Sequence, residues 1–156
     1  LKGHIAVATN DLNKVKKGYL IDKKARAFLK KINLDYGHGT GHGVGFFSNV
    51  HEGPQSISKF NSIELKEGMI VSNEPGYYEE GKFGIRIENL IFIEKEKKKL
   101  NFKNLTMAPI DKDLINYKLL TPKEKDYLFK YNLEVYNNIS RHLNKSEKSW
   151  LLKSIQ

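Results

Sequence analysis

Three histidines, His38, His42 and His51, crowd into fourteen residues, and two acids, Glu74 and Glu88, follow them. Side chains of these types bind cations and move protons. The stretch Gly37-His38-Gly39-Thr40-Gly41-His42-Gly43-Val44-Gly45 alternates glycine with side chains. In an extended conformation one face is bare backbone, and His38, Thr40, His42 and Val44 line the other. A bare glycine face lets another backbone or a ligand approach closely. Read by itself, the segment is equally compatible with a flexible glycine loop. It is not a dinucleotide fingerprint, because the last glycine of G-x-G-x-x-G falls on His42, Val44 or Phe46. Nor is it a zincin helix, since no Glu follows either histidine and the glycines oppose helix.

Glu74 follows a short apolar run and precedes the Pro75-Gly76 turn, where a ligand is held rigidly at a cleft; a solvated turn acid is the plain alternative. Glu88 lies in an otherwise apolar strand and shares a face with Arg86. A buried acid needs a partner or a metal, and Arg86 alone could satisfy it as an ion pair. One imidazole with several carboxylates is a hard donor set that suits Mn²⁺, Co²⁺, Fe²⁺ or Zn²⁺. Such a set could hold two ions that share a water and aim it at a carbonyl, with free histidines shuttling protons. Three ligands are too few for two ions, so further acids must come from elsewhere. His4 and His142 stand alone in helical segments and read as structural or surface residues.

The elements that must position these groups fall into three zones. Ala25, Phe28, Leu29 and Ile32 at helical spacing predict an amphipathic helix over about 19–33. A second helix is expected in 1–9, with a polar loop between. From about 36 to 110 the chain reads as strands and turns, with a short strand at Met69-Ile70-Val71 and a longer one over 84–94. In that longer strand Ile85 and Ile87 face one way and Arg86 and Glu88 the other. Lys95–Lys99 is expected at a hairpin tip. Thr121 is an N-cap candidate with Pro122 at the first helical position, opening a helix that carries Tyr127, Leu128, Tyr131 and Val135. A shorter helix is expected over Glu147–Ile155.

The 156 residues suffice for one core, or a core with a small appendage. No run approaches the roughly 18 apolar residues of a membrane span, and no signal peptide is evident. The chain opens at Leu1, so a true N-terminus upstream is expected. The absence of cysteine excludes disulfides, thiolate metal sites and a cysteine nucleophile. The formal net charge of +9 is concentrated in residues 1–31, which hold nine Lys/Arg against two acids. A solvated helix face accounts for it. No interleaved aromatics or recognition motif accompany it, so no nucleic-acid partner and no membrane partner are expected.

Taken together, YGHGTGHGVG, NVHEGP, EGMIVSNEPGYY and FGIRIENL, in this order, resemble the metal-binding half of X-Pro aminopeptidases in the pita-bread metallopeptidase superfamily. LKGHIAV and the C-terminal helical zone are similar to the eukaryotic cytosolic-type branch, so the resemblance covers nearly the whole chain. It implies an α+β fold, part of a pita-bread fold, with helices on one face of a curved, mostly antiparallel sheet. Residues 1–118 would be the C-terminal half of the catalytic domain and 119–156 a helical C-terminal extension. His42, Glu74 and Glu88 would be metal ligands, and His38, His51 and Arg86 catalytic groups, with the histidines contacting substrate and Arg86 orienting Glu88. Two divalent ions, usually manganese, with zinc, cobalt or iron as alternatives, would need two more aspartates N-terminal to this sequence. Asp11, Asp22 and Asp35 do not stand in that aspartate motif.

The resemblance further implies a peptide substrate with proline in second position, a homodimer and a cytoplasmic location. The pyrrolidine pocket would lie around His38, His51 and Phe46–Phe47. The isolated chain is expected to bind metal weakly or partially, to be inactive or nearly so, and to expose strand edges. The alternative is a non-catalytic pita-bread module that binds peptides or proteins.

Overall fold

Apolar residues at helical spacing become two adjoining helices, α1 (Lys2–Ala8) and α2 (Gly18–Lys30), in a computed structural model that describes residues 1–47 and 49–155. Ile5 and Val7 of α1 and Ile21 and Ala25 of α2 are buried where the helices pack together, and Lys23, Lys24 and Lys30 face solvent. α2 stops short of residue 33. Asn33 takes φ +58°, and the Leu34 N–H reaches back to the Leu29 carbonyl at 3.0 Å, closing the helix end.

Among the described residues the strands are all antiparallel and form three small sheets. β1 (Gly41–His42) pairs with β2 (Ser56–Ile57). β3 (Ile70–Asn73), β6 (Asn89–Glu96) and β7 (Lys99–Asn104) form the largest sheet, in the order β3-β6-β7. β4 (Gly76–Glu79) and β5 (Phe83–Arg86) form a hairpin. Along β6, Asn89, Ile91 and Ile93 point inward and alternate with more exposed residues, the two-residue period of a half-buried strand. Val71, Ile91 and Ile93 join Val7, Leu12, Ile21, Ala25, Ile57 and Leu65 in one core. The lysine-rich tip between β6 and β7 turns at Lys97 and Lys98, both at positive φ as a two-residue hairpin requires.

The strand expected over 84–94 is divided. β3 and β6 are paired as far as Asn73 opposite Asn89, and β4 and β5 resume with Gly76 opposite Arg86. The register is the same on both sides, so Glu74 lies opposite Glu88 and Pro75 opposite Ile87 in the gap. Pro75 has no N–H to donate, which stops the ladder there. Glu88 is consequently not a buried strand residue, because its side chain is 44% exposed, and β5 is exposed along its length.

Two compact units are present, Leu1–Thr106 and Met107–Gln156. The segment 107–118, grouped by sequence with the first part, makes its contacts in the second unit. There α3 (Pro122–Ile139) begins with a capping box, in which the Thr121 hydroxyl accepts from the Glu124 N–H while the Glu124 carboxylate accepts from the Thr121 N–H. Tyr131 and Val135 of α3 bury against Leu151 of α4 (Lys145–Ile155). Among the described residues no helix is long and apolar enough to cross a membrane.

Candidate functional site

The bare glycine faces expected from sequence are used by neighbouring backbone. A Cβ on Gly41 would lie 1.9 Å from the Ser72 carbonyl oxygen, and one on Gly43 would lie 2.1 Å from that of Glu52. Only glycine lets β1 sit this close to the end of β3. The approach brings His42 to Glu74. The His42 N–H donates to the Ser72 hydroxyl at 2.9 Å, and that hydroxyl donates to Glu74 Oε1 at 2.7 Å. The Glu74 N–H in turn donates to the Thr40 carbonyl at 2.8 Å.

These contacts form the wall of a cleft of about 440 Å³ lined by His38, His42, His51, Glu74, Tyr78 and Arg86. His42 Nδ1 lies 3.0 Å from the Gly43 carbonyl, which can only accept, so in the neutral ring Nδ1 carries the proton. Nε2 then presents a lone pair 3.2 Å from Glu74 Oε1. Two acceptors at that separation need a proton or a cation between them. The His51 ring is 4.1 Å from that of His42. His38 reaches the cleft from the preceding turn, with Nδ1 2.7 Å from the Gly39 carbonyl and Nε2 2.9 Å from the Tyr78 hydroxyl.

Five of the six sequence-predicted residues, His38, His42, His51, Glu74 and Arg86, line this cleft, and Glu88 is joined to it through Arg86. The Arg86 Nε is 3.2 Å from Glu88 Oε2 and 3.8 Å from Glu74 Oε2. The Tyr78 hydroxyl, and after it the two carboxylates, hold the guanidinium further above its ordinary pKa. The donors suit a hard divalent ion in kind. In number they are a partial set, because among the described residues no three His, Asp or Glu side chains converge closely enough to hold an ion. Thr40 departs from the expected common face: it is fully buried and donates to Asp22, away from the cleft. Phe46 and Phe47 are exposed and do not line the cleft.

Sequence reasoning missed Tyr78 and Ser72. The signal for Tyr78 was present in two glycines. Gly76 precedes it on the same strand face and Gly84 pairs with it across the hairpin, and a Cβ on either would fall within 2.6–2.8 Å of the tyrosine side chain. Ser72 gave no such signal, because its role depends on where β1 docks.

Residues 2–95 match the model of metallopeptidase family M24, and residues 98–156 match that of the C-terminal region of peptidase M24. The chain is 46% identical over 164 residues to a Coprinopsis cinerea protein named "Probable Xaa-Pro aminopeptidase P", an alignment covering 97% of this chain and 26% of that protein. It superposes on the X-prolyl aminopeptidase of Caenorhabditis elegans, a cytosolic enzyme with a di-nuclear active site, with a TM-score of 0.88 and 36% identity, covering 99% of this chain and 27% of that one. For the X-Pro aminopeptidase of Thermotoga maritima the TM-score is 0.57 at 35% identity, over 69% of this chain and 28% of that one. The chain thus spans about a quarter of the length of these relatives.

Proposed function

The chain belongs to metallopeptidase family M24 and has its α+β fold, and from that premise we propose that it carries part of the active site of a metal-dependent aminopeptidase that releases the first residue of peptides with proline in second position. The observation that carries the reading is His42 Nε2 facing Glu74 Oε1 at 3.2 Å, a pair of acceptors that a bound cation can bridge in place of a proton. His42, Glu74 and Glu88 are the ligands this chain contributes. The complete protein holds two divalent ions, most simply manganese, with zinc, cobalt or iron as alternatives, and two aspartates from outside this sequence complete the set. A bound divalent ion supplies Lewis-acid polarisation of the scissile carbonyl and acidifies a water.

The residues of this chain orient and transfer protons. Ser72 fixes both His42 and Glu74. His51, exposed beside His42, donates to the oxygen on which charge develops. His38, held by Tyr78, contacts the substrate beside the scissile bond. Arg86 orients Glu88 and Glu74. The imide before proline has no N–H, so the cleft must accept a tertiary amide. The complete protein acts in the cytoplasm as a homodimer, a reading supported by the described location of the Caenorhabditis elegans relative and, for the dimer, by family resemblance alone. The test is Mn²⁺-dependent hydrolysis of an X-Pro-X tripeptide by a protein containing this chain and its upstream aspartates, with X-Ala-X as control. Selective cleavage of the proline peptide supports the proposal. A folded, metal-loaded protein that cleaves neither points to a binding module.

A further inference from the structure

Behind the cleft, α2 sends one side chain into the turn that carries His38. Arg26 is 2% exposed. Its Nε donates to both oxygens of Asp22, at 2.9 and 2.8 Å, and its Nη1 to Asp35 Oδ1 and the Tyr36 carbonyl, each at 2.7 Å. Its Nη2 donates to the His38 carbonyl. The guanidinium also lies over the Tyr36 ring, 3.9 Å from its centroid, and that ring packs 4.9 Å from the His38 ring. Asp22 accepts a further bond from the Thr40 hydroxyl at 2.7 Å. Thr40 in turn accepts from the Tyr36 hydroxyl, which burial pushes up to about 12 and so keeps protonated. The bonds close a ring through Arg26, Asp22, Thr40 and Tyr36.

We infer that Arg26, with Asp22 as its counter-ion, is a positioning residue that sets the orientation of the His38 imidazole. A buried ion pair adds little net stability compared with apolar packing of the same volume, so stability alone does not account for it. What the guanidinium provides is direction. Its rigid fork ties down the carbonyls of residues 36 and 38, and the Thr40 arm of the ring leads to the carbonyl that holds the Glu74 N–H. A lysine is a point charge on a flexible stem and cannot reproduce the fork. The inference rests on the proposed aminopeptidase only in taking His38 as a substrate-facing group.

The test reads the ring itself and needs no activity, so failure of the aminopeptidase reading leaves it standing. The Gly39 carbonyl can only accept, so a positioned, neutral His38 carries its proton on Nδ1 and accepts from Tyr78 at Nε2. Long-range ¹H–¹⁵N spectra of the 156-residue chain at pH 8 should show this single tautomer. In a folded Arg26→Lys variant the single-tautomer signature should be lost at His38 while His142 is unchanged. A folded variant with the original His38 signature, whatever its loss of stability, overturns the inference. Should Arg26→Lys fail to fold, Thr40→Val decides, because it deletes only the hydroxyl joining Asp22 to Tyr36. Tautomer mixing there supports the inference, and an unchanged signature overturns it.

Discussion

Glu74 stands opposite Glu88 in the gap between two strand pairings that share one register. Pro75 ends the ladder on one side; Glu74 lines the cleft, and Arg86 joins Glu88 to it, its Nε 3.8 Å from Glu74 and 3.2 Å from Glu88. Two facing carboxylates repel unless a positive charge joins them. In this chain the guanidinium is that charge.

Removing it should therefore favour other cations. Arg86→Met in the isolated chain should tighten Mn²⁺ binding by about fivefold, the order expected for loss of a unit charge a few ångströms away in a solvated setting. Isothermal titration measures it. Weaker binding in the variant would mean that Arg86 helps to assemble the site rather than competing with the ion.

His42 and Glu74 converge while Glu88 is engaged by Arg86, so the isolated chain should bind at most one Mn²⁺, weakly. Paramagnetic broadening should fall first on the ring signals of His42 and His51, and His42→Ala should abolish it at His51. Broadening centred on His4 or His142 would place the ion elsewhere.

Ser72 is buried, accepts from the His42 N–H and donates to Glu74. Ser72→Ala leaves that N–H without its partner, at a cost of about 1–3 kcal/mol. Urea unfolding followed by circular dichroism checks the loss. In the complete protein the same change should lower metal affinity by roughly 10- to 100-fold, as for other groups that orient ligands. An unchanged urea midpoint would show that another group replaces the hydroxyl.

How much of this was legible in sequence depends on the range of the interactions. Helices α1 and α2 were readable because their apolar spacing is local, and the alternating glycines announced a close backbone approach before the partner was known. The division of the strand at residues 87–88 was not readable from that strand. Its cause is Pro75, which meets Ile87 only through the pairing of distant segments. Thr40 illustrates the same limit: alternation placed it with His38 and His42, yet the Asp22–Arg26 pair on α2 draws it inward. Asp22 and Asp35, which do not stand in the expected aspartate motif, both accept from that arginine.

His4 gives the fold a pH dependence. It is fully buried, its ring faces the backbone of Ile87 and Asn73 without reaching hydrogen-bond geometry, and burial, and after it the charge of the Leu1 amine, pushes its pKa down from 6.5 to about 4. Above pH 6.5 the ring is neutral whether folded or unfolded, and nothing is lost. As the pH falls from 6.5 toward 4 the unfolded chain takes up a proton that the folded chain refuses, so about 3 kcal/mol of stability should disappear across that window. A His4→Gln variant cannot titrate and should lose correspondingly less between pH 7 and pH 4.5 in urea unfolding. Parallel losses in the two proteins would contradict the assignment.

The most direct test of the central claim is release of the first residue from an X-Pro-X tripeptide with Mn²⁺ present, measured on three proteins. These are the chain alone, the chain extended upstream through the expected aspartates, and the extended protein carrying Glu74→Gln. Activity confined to the extended protein and lost with Glu74→Gln is the predicted result. Undiminished activity in the Glu74→Gln protein would contradict the claim that this chain supplies ligands to a catalytic metal centre.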